Sequence, residues 1–457
     1  MMQWIAIRCM VLPAFTPSTC KLGSTMLCYA ARMPSSPAST TAQAPSRRDP
    51  ALDGVRGLAV LLVFIYHYGG GLKSHDPLVR IFGTVTQAGW TGVILFFALS
   101  GFLITGELWD SLAERHLLRN FYVRRALRIL PLYVVAMGIS LAGALAHGHT
   151  DLYTLRSFGI YLLFLQDIPG LAAQALHYSS PFPLYHLWSL AVEEQFYLLW
   201  PAALLWVDSR RSARDLCLRI FALSLFFRLL ICLPEMSFHR SSRFDDFVLT
   251  HAGALALGGA LALALRSRDR ATGRIAAPVR FVRRYCYIAF WAGIAVFCAC
   301  GLVAHSFLMS PALEFIFGVL GASVASVASI AIALRRGRIR GALSWSPLGW
   351  LGRISYGFYV FHILLQPVFD TIASSLTHSV SGQQYQLVRM LVAFPLSVIF
   401  AALSFYLLEQ PFLRLGRRFP MRTPVPSGLH LEAHSTRPSP GSQPPGRVTP
   451  PGPFIAS

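Results

Sequence analysis

Two residues of an early apolar run, Arg56 and His67, stand eleven positions apart. At about 100° per residue, eleven steps make roughly three full helical turns. Both side chains then share one face, about 16 Å apart along the axis. A guanidinium suits a phosphate, and an imidazole suits proton abstraction. A second stretch, Trp188-Ser189-Leu190-Ala191-Val192-Glu193-Glu194-Gln195-Phe196-Tyr197, sets two adjacent carboxylates inside apolar sequence. A carboxylate beside a histidine holds its tautomer and stabilises the imidazolium, as general-base catalysis requires. Glu193 and Glu194 are therefore expected to lie at the depth of His67 and to orient it.

Three further groups join this set. Arg125 and Arg128 are i,i+3 neighbours on one helix face, and their forks suit phosphate. Ser100-Gly101 is a small pair in mid-run that permits either close helix packing or a narrow ligand channel. No GxSxG elbow surrounds Ser100, which argues against a serine nucleophile. Tyr356 and His362, in Ser355-Tyr356-Gly357-Phe358-Tyr359-Val360-Phe361-His362, are additional candidates. Each residue also has a bland reading as interfacial anchor, packing contact or hydrogen-bonded core group. The shared face of Arg56 and His67 weighs against it. Arg228 stands alone in its apolar run and requires a partner that the sequence does not identify.

The elements that position these groups follow from composition. Of 457 residues 54% are hydrophobic and only 13% charged, with a mean hydropathy of +0.52. A soluble domain carries about 25% charged residues, so the chain reads as a multi-pass membrane protein. Ten apolar stretches approach the roughly 20 residues that a bilayer requires: 55–72, 89–108, 129–147, 187–207, 216–233, 248–265, 286–304, 312–334, 354–373 and 387–408. Phe158–Gln166 is too short and reads as re-entrant or interfacial. The expected fold is all-α, with ten transmembrane helices.

The net charge of +20 raises nucleic-acid binding as a reading. The positions of the charges answer it. With both termini cytoplasmic, the inner loops hold 25 Lys and Arg and the outer loops hold 5. That asymmetry is the positive-inside pattern, and no nucleic-acid partner is expected. The eight cysteines form no CxxC pair and read as small hydrophobes, with no metal site. Residues 1–50 and 417–457 are rich in Pro, Ser and other small residues; the first reads as a disordered or mis-annotated extension and the second as a disordered Pro-rich tail, flanking segments of a membrane domain spanning 51–416. Met33 is a candidate alternative start.

Taken in order, these motifs resemble the membrane-bound acyltransferase 3 family, which includes O-antigen acetylases. The matching stretches are Leu52-Asp53-Gly54-Val55-Arg56-Gly57-Leu58-Ala59 with His67, Ser100-Gly101-Phe102-Leu103 and Arg125-x-x-Arg128-Ile129-x-Pro131-x-Tyr133. Trp188 through Tyr197, Gly352-x-Ile354-Ser355-Tyr356 through His362, and Glu409-x-Pro411-Phe412 complete the series. The resemblance implies a ten-span acyltransferase of the cell inner membrane. It would move an acyl group, most simply acetyl, from cytoplasmic acyl-CoA to a hydroxyl of a surface glycan, lipid-linked saccharide or glycoside. Arg56, Arg125, Arg128, Ser100 and Gly101 would meet the donor. His67 would be the base, with Glu193 and Glu194 orienting it. Where the family often has an Arg-x-Asp pair, this chain has His251-Ala252-Gly253. Many members also append an extracytoplasmic hydrolase-like domain. None is evident here, so either direct transfer or a separate extracytoplasmic partner is expected. A proton-coupled exporter of small organic acids is the competing expectation, since buried His and Glu also suit a proton relay. A proton carrier, however, has no use for an arginine-built phosphate site.

Overall fold

The computed structural model describes residues 49–69, 77–176, 178, 180–232, 246–267, 276–308, 312–377 and 382–421. The flanking segments read from composition therefore lie almost wholly outside the described residues, as do Cys9, Cys20, Cys28, Lys73, Arg240 and Arg243. Among the described residues all regular structure is helical. Seven helical stretches are long and apolar enough to cross a bilayer: Pro50–Gly69, Ile81–Trp109, Leu117–Ala146, Val248–Leu265, Ala277–Val303, Glu314–Ala333 and Gln384–Gly416. They coincide with seven of the ten expected spans. The other three expected spans are also helical, but interrupted or more polar.

We number the helices in chain order. They are α1 (Pro50–Gly69), α2 (Pro77–Gln87), α3 (Thr91–Trp109), α4 (Leu117–Ala146), α5 (Leu152–Leu162), α6 (Leu171–Leu176) and α7 (Trp188–Leu205). These are followed by α8 (Arg210–Cys232), α9 (Val248–Leu265), α10 (Ala277–Val303), α11 (Val319–Ala333), α12 (Arg338–Leu343) and α13 (Ser346–Arg353). The series ends with α14 (Ser355–Leu364), α15 (Gln366–Leu376), α16 (Gly382–Ser404) and α17 (Gln410–Gly416). Single π-turns at Glu314–Gly318 and Phe405–Glu409 precede α11 and α17.

Local chemistry sets the ends that matter. The Asp49 carboxylate accepts the Ala51 N–H at 3.0 Å and Pro50 follows it, a combination that starts α1. Arg340 grips the same carboxylate with two contacts of 3.0 Å. The expected span 354–373 is broken at Leu365, one residue before Gln366-Pro367, because proline cannot continue the helix behind it. The short run near Phe158 forms α5, capped by Asp151 on the Thr154 N–H at 2.9 Å. Eleven residues reach about 16 Å, too little to cross.

Close helix contacts use glycine. A Cβ at Gly54 would lie 1.7 Å from the Leu343 carbonyl oxygen, and one at Gly352 would lie 1.8 Å from that of Asp53. These contacts lock the end of α12 and α13 against α1. In the same way Gly101 faces the Leu255 carbonyl at 1.8 Å and Gly258 faces that of Ala98 at 1.9 Å, which joins α3 to α9. Such contacts bring backbones together where lipid offers no hydrophobic drive. The outward face of α10 exposes Phe281, Ile288, Trp291 and Leu302, as a lipid-facing helix requires.

Candidate active site

His67 lies on α1, where it meets the last turn of α14. Its Nδ1 lies 2.9 Å from the Val63 carbonyl and 3.3 Å from Nε2 of His362. The two rings are 5.0 Å apart at 69°. His362 in turn places Nδ1 2.6 Å from the Tyr359 carbonyl. One protonation pattern satisfies all three contacts. A carbonyl only accepts, so Nδ1 of each histidine carries the proton. His67 then donates to both the Val63 carbonyl and the His362 Nε2 lone pair. Nε2 of His67 is left as a free base. The tautomer is fixed by a carbonyl and a histidine, where a carboxylate was expected.

A third histidine completes the cluster. His186 lies in the 3₁₀ turn Tyr185–Leu187 just before α7, 5.6 Å from His362 between ring centres. Its Nε2 contacts the Val360 carbonyl at 3.2 Å, and its Nδ1 has no partner among the described residues. The Tyr359 hydroxyl donates to the His186 carbonyl and receives the Ser189 hydroxyl at 2.6 Å. The Tyr68 hydroxyl donates to the His362 carbonyl at 2.5 Å. Tyr68 stacks on Phe64, and the Arg389 guanidinium lies 4.8 Å above its ring, paired to Asp370 at 2.5 Å.

Glu193 and Glu194 sit elsewhere. Glu193 is seven residues beyond His186, about 10 Å further along α7. It meets no histidine. Its Oε1 accepts the Ser100 hydroxyl and its Oε2 the Tyr197 hydroxyl, both at 2.9 Å. Glu194 points to another side of α7, and its Oε1 has no hydrogen-bond partner among the described residues. The expectation that these carboxylates orient His67 is not met: His67 meets His362 at the end of α14, while Glu193 lies on α7 roughly two turns beyond the level of His186.

Arg125 lies between the rings of Phe121 and Tyr197, at 5.6 and 5.2 Å from their centres, and pairs with Glu107 at 3.6 Å. Arg128 acts electrostatically on Glu193 and on Glu409. The Tyr356 hydroxyl donates to the neighbouring Ile129 carbonyl at 2.8 Å. Arg56 forms an i,i+3 ion pair with Asp53 at 3.2 Å. The Ser100-Gly101 pair divides: Ser100 faces Glu193, while the open side of Gly101 is filled by the Leu255 backbone. Arg228 gains the partner that the sequence did not reveal. It donates to the Thr250 carbonyl and lies 5.8 Å over the Phe315 ring.

These groups form a graded polar column. α14 supplies one group per turn: Tyr356 beside Arg128, then Tyr359 at Ser189, then His362 at His67. Glu193, Ser100 and Tyr197 stand beside it on α7 and α3. Arginines mark one end of the column, which we call the arginine end, and histidines mark the other.

A family profile described as an acyltransferase domain matches residues 49–409. The chain belongs to the acyltransferase 3 family. The profile covers most of the chain and every group in the column. Among curated relatives, the peptidoglycan O-acetyltransferase OatA of Listeria monocytogenes is 28% identical over 389 residues. That alignment covers 80% of this chain and 56% of the relative. The O-acetyltransferase OatA of Staphylococcus aureus (strain NCTC 8325 / PS 47) is 26% identical over 378 residues, covering 80% of this chain and 57% of the relative. The chain thus spans little more than half the length of the curated relatives it matches. No solved structure matches it significantly. Family and helices together make this a multi-pass membrane protein.

Proposed function

We propose that this protein is an integral-membrane O-acyltransferase that moves an acyl group, acetyl in the simplest case, from acyl-CoA to a hydroxyl of a glycan. The observation that carries the reading is the column itself. Phosphate-compatible cations stand at one end and a histidine with a fixed tautomer and a free Nε2 at the other. The named activity of the OatA relatives supports an O-acetyl product and makes peptidoglycan the first acceptor to test.

The donor docks at the arginine end, where Arg125 and Arg128 offer forked contacts to its phosphates. Its thioester arm extends past Ser100 and Glu193 toward the histidines. Nε2 of His67 removes the proton of the acceptor hydroxyl as its oxygen attacks the thioester carbonyl. The carbon–sulfur bond breaks, and the departing CoA thiolate takes the proton held on His67 Nε2, which restores the neutral base. The His67 imidazolium is stabilised through Nδ1–H by the Val63 carbonyl and by His362. Glu193 holds the Ser100 and Tyr197 hydroxyls along the donor path and does not orient His67.

We place the arginine end on the cytoplasmic side of the inner membrane, with both termini there, on the strength of the loop charges. A separate extracytoplasmic transferase remains an optional partner of this scheme. The test is mass spectrometry of surface glycans from cells with and without the gene. Loss of one acyl unit per modified glycan is expected. Identical glycans in the two strains would overturn the reading.

A further inference from the structure

The arginine end of the column opens into a pocket that also holds residues given no role so far. Arg128, Arg353, Ser355, Tyr356 and Glu409 are among the residues that line it. Two of the three arginines expected to hold donor phosphates are already engaged by carboxylates, Arg56 by Asp53 and Arg125 by Glu107. Arg353 is different. It is exposed at the end of α13, and its guanidinium makes no ion pair or hydrogen bond among the described residues.

Ser355 supplies an independent sign of a ligand. It is 7% exposed, and its hydroxyl makes no hydrogen bond among the described residues. It is the first residue of α14, a helix of ten residues. The unpaired N–H groups of a helix start carry about half a positive charge. The pocket therefore combines two guanidiniums, a helix start and an unused hydroxyl. Glu409 opposes them. Its Oε1 receives the Ser404 hydroxyl at 3.1 Å, and Arg128 is the cation that acts on it. One cation is thus balanced by Glu409 and the other, Arg353, is not. The net character is positive, and the chemistry it fits is a phosphate ester.

We propose that this pocket binds a phosphate of the acyl-CoA donor, with Arg353 and Ser355 as donor-binding residues beside Arg128. The proposal rests on the acyl-CoA reading above. A phospholipid head carries the same chemistry at the same level of the membrane, so the test must separate the two sources.

CoA binding to the purified full-length protein in dodecyl maltoside, read by thermophoresis, does so without requiring turnover. Pantetheine, which lacks the nucleotide phosphates, is the second probe. The wild type should bind CoA. Arg353→Ala should bind it about ten- to a hundredfold more weakly, the loss of one charge-assisted contact. Arg353→Lys, which keeps the loop charge but not the fork, should stay at least severalfold weaker. Ser355→Ala should lose a few-fold. Pantetheine affinity should not change in any variant. Arg338→Ala, at an exposed position of the same basic segment, should match the wild type and so controls for general loss of charge. If the wild type fails to bind CoA, the acyl-CoA reading itself falls. If CoA binds equally to wild type and Arg353→Ala, only the pocket assignment falls. If CoA binding is unchanged but co-purifying phosphatidylglycerol drops in Arg353→Ala, the pocket is a lipid-head site and the proposal is overturned.

Discussion

His362 should matter only through His67, and the contact geometry sets by how much. His67 Nδ1–H is shared between the Val63 carbonyl at 2.9 Å and His362 Nε2 at 3.3 Å. In His362→Phe the ring and its stacking on Phe358 survive, while both nitrogens are lost. The Val63 carbonyl still holds the tautomer, so the base remains. A neutral hydrogen bond contributes about 0.5–1.5 kcal/mol and one to a charged group about 1.5–3. Only the increase on protonation of His67 enters the rate. That difference is about 1–2 kcal/mol, or roughly five- to thirtyfold. His67→Gln removes the base itself and should cost about 10²–10⁴. The assay is single-turnover transfer of labelled acetyl from acetyl-CoA to a soluble glycan acceptor in proteoliposomes. In the His67→Gln background there is no imidazolium for His362 to stabilise, so His67→Gln/His362→Phe should match His67→Gln alone. If the two losses multiply, His362 acts independently and the histidine pairing is not the working unit. If His362→Phe is as inactive as His67→Gln, the base has been misassigned.

Glu193→Gln should reduce transfer more than Glu194→Gln, because an amide oxygen can replace only one of the two carboxylate oxygens that receive Ser100 and Tyr197; equal losses in the same assay would refute this. Gly101→Ala should lower thermal stability in detergent by about 1–3 kcal/mol, since its Cβ would meet the Leu255 carbonyl at 1.8 Å. Gly138→Ala, with nothing within 4 Å, should be neutral or stabilising by up to about 1 kcal/mol, and similar melting shifts for the two would contradict the packing. Reporter fusions after Arg211 and Arg336 should read cytoplasmic and one after Arg243 external, and a cytoplasmic signal after Arg243 would break the ten-span order.

Much of this architecture is legible in the sequence because membrane helices announce themselves by length and polarity. The described residues of all ten apolar stretches are largely helical, and His67, Ser100, Glu193, Arg128, Tyr356 and His362 meet in the column, with Arg125 at its arginine end. What could not be read is which polar groups meet. His186 lies in a short 3₁₀ turn outside the apolar runs, so neither periodicity nor spacing marks it. Tyr359 carries a usable signal in the spacing Tyr356-x-x-Tyr359-x-x-His362, which places one polar group on each turn of α14. The partners of His67, His362 and Arg228 include backbone carbonyls, and a carbonyl has no side-chain letter. The need for glycine at position 69 depends on tertiary fit as well, since a Cβ there would lie 2.8 Å from the Thr86 side chain.

The offset between Glu193 and His67 changes how the chemistry must be divided. A carboxylate adjacent to the base would raise its basicity but would also draw a permanent negative charge to the acceptor end. Here Val63 and His362 supply orientation without charge, while Glu193 receives the Ser100 and Tyr197 hydroxyls instead. A neutral histidine cluster can accept a proton and release it with no fixed counter-ion to retain it. The charged groups are instead gathered toward the arginine end, where a polyanionic donor would meet them. On this view the column is polarised by its helix ends: where α7 starts and where proline breaks the ninth span decide which groups share a level. Moving those ends should matter as much as replacing the residues they carry.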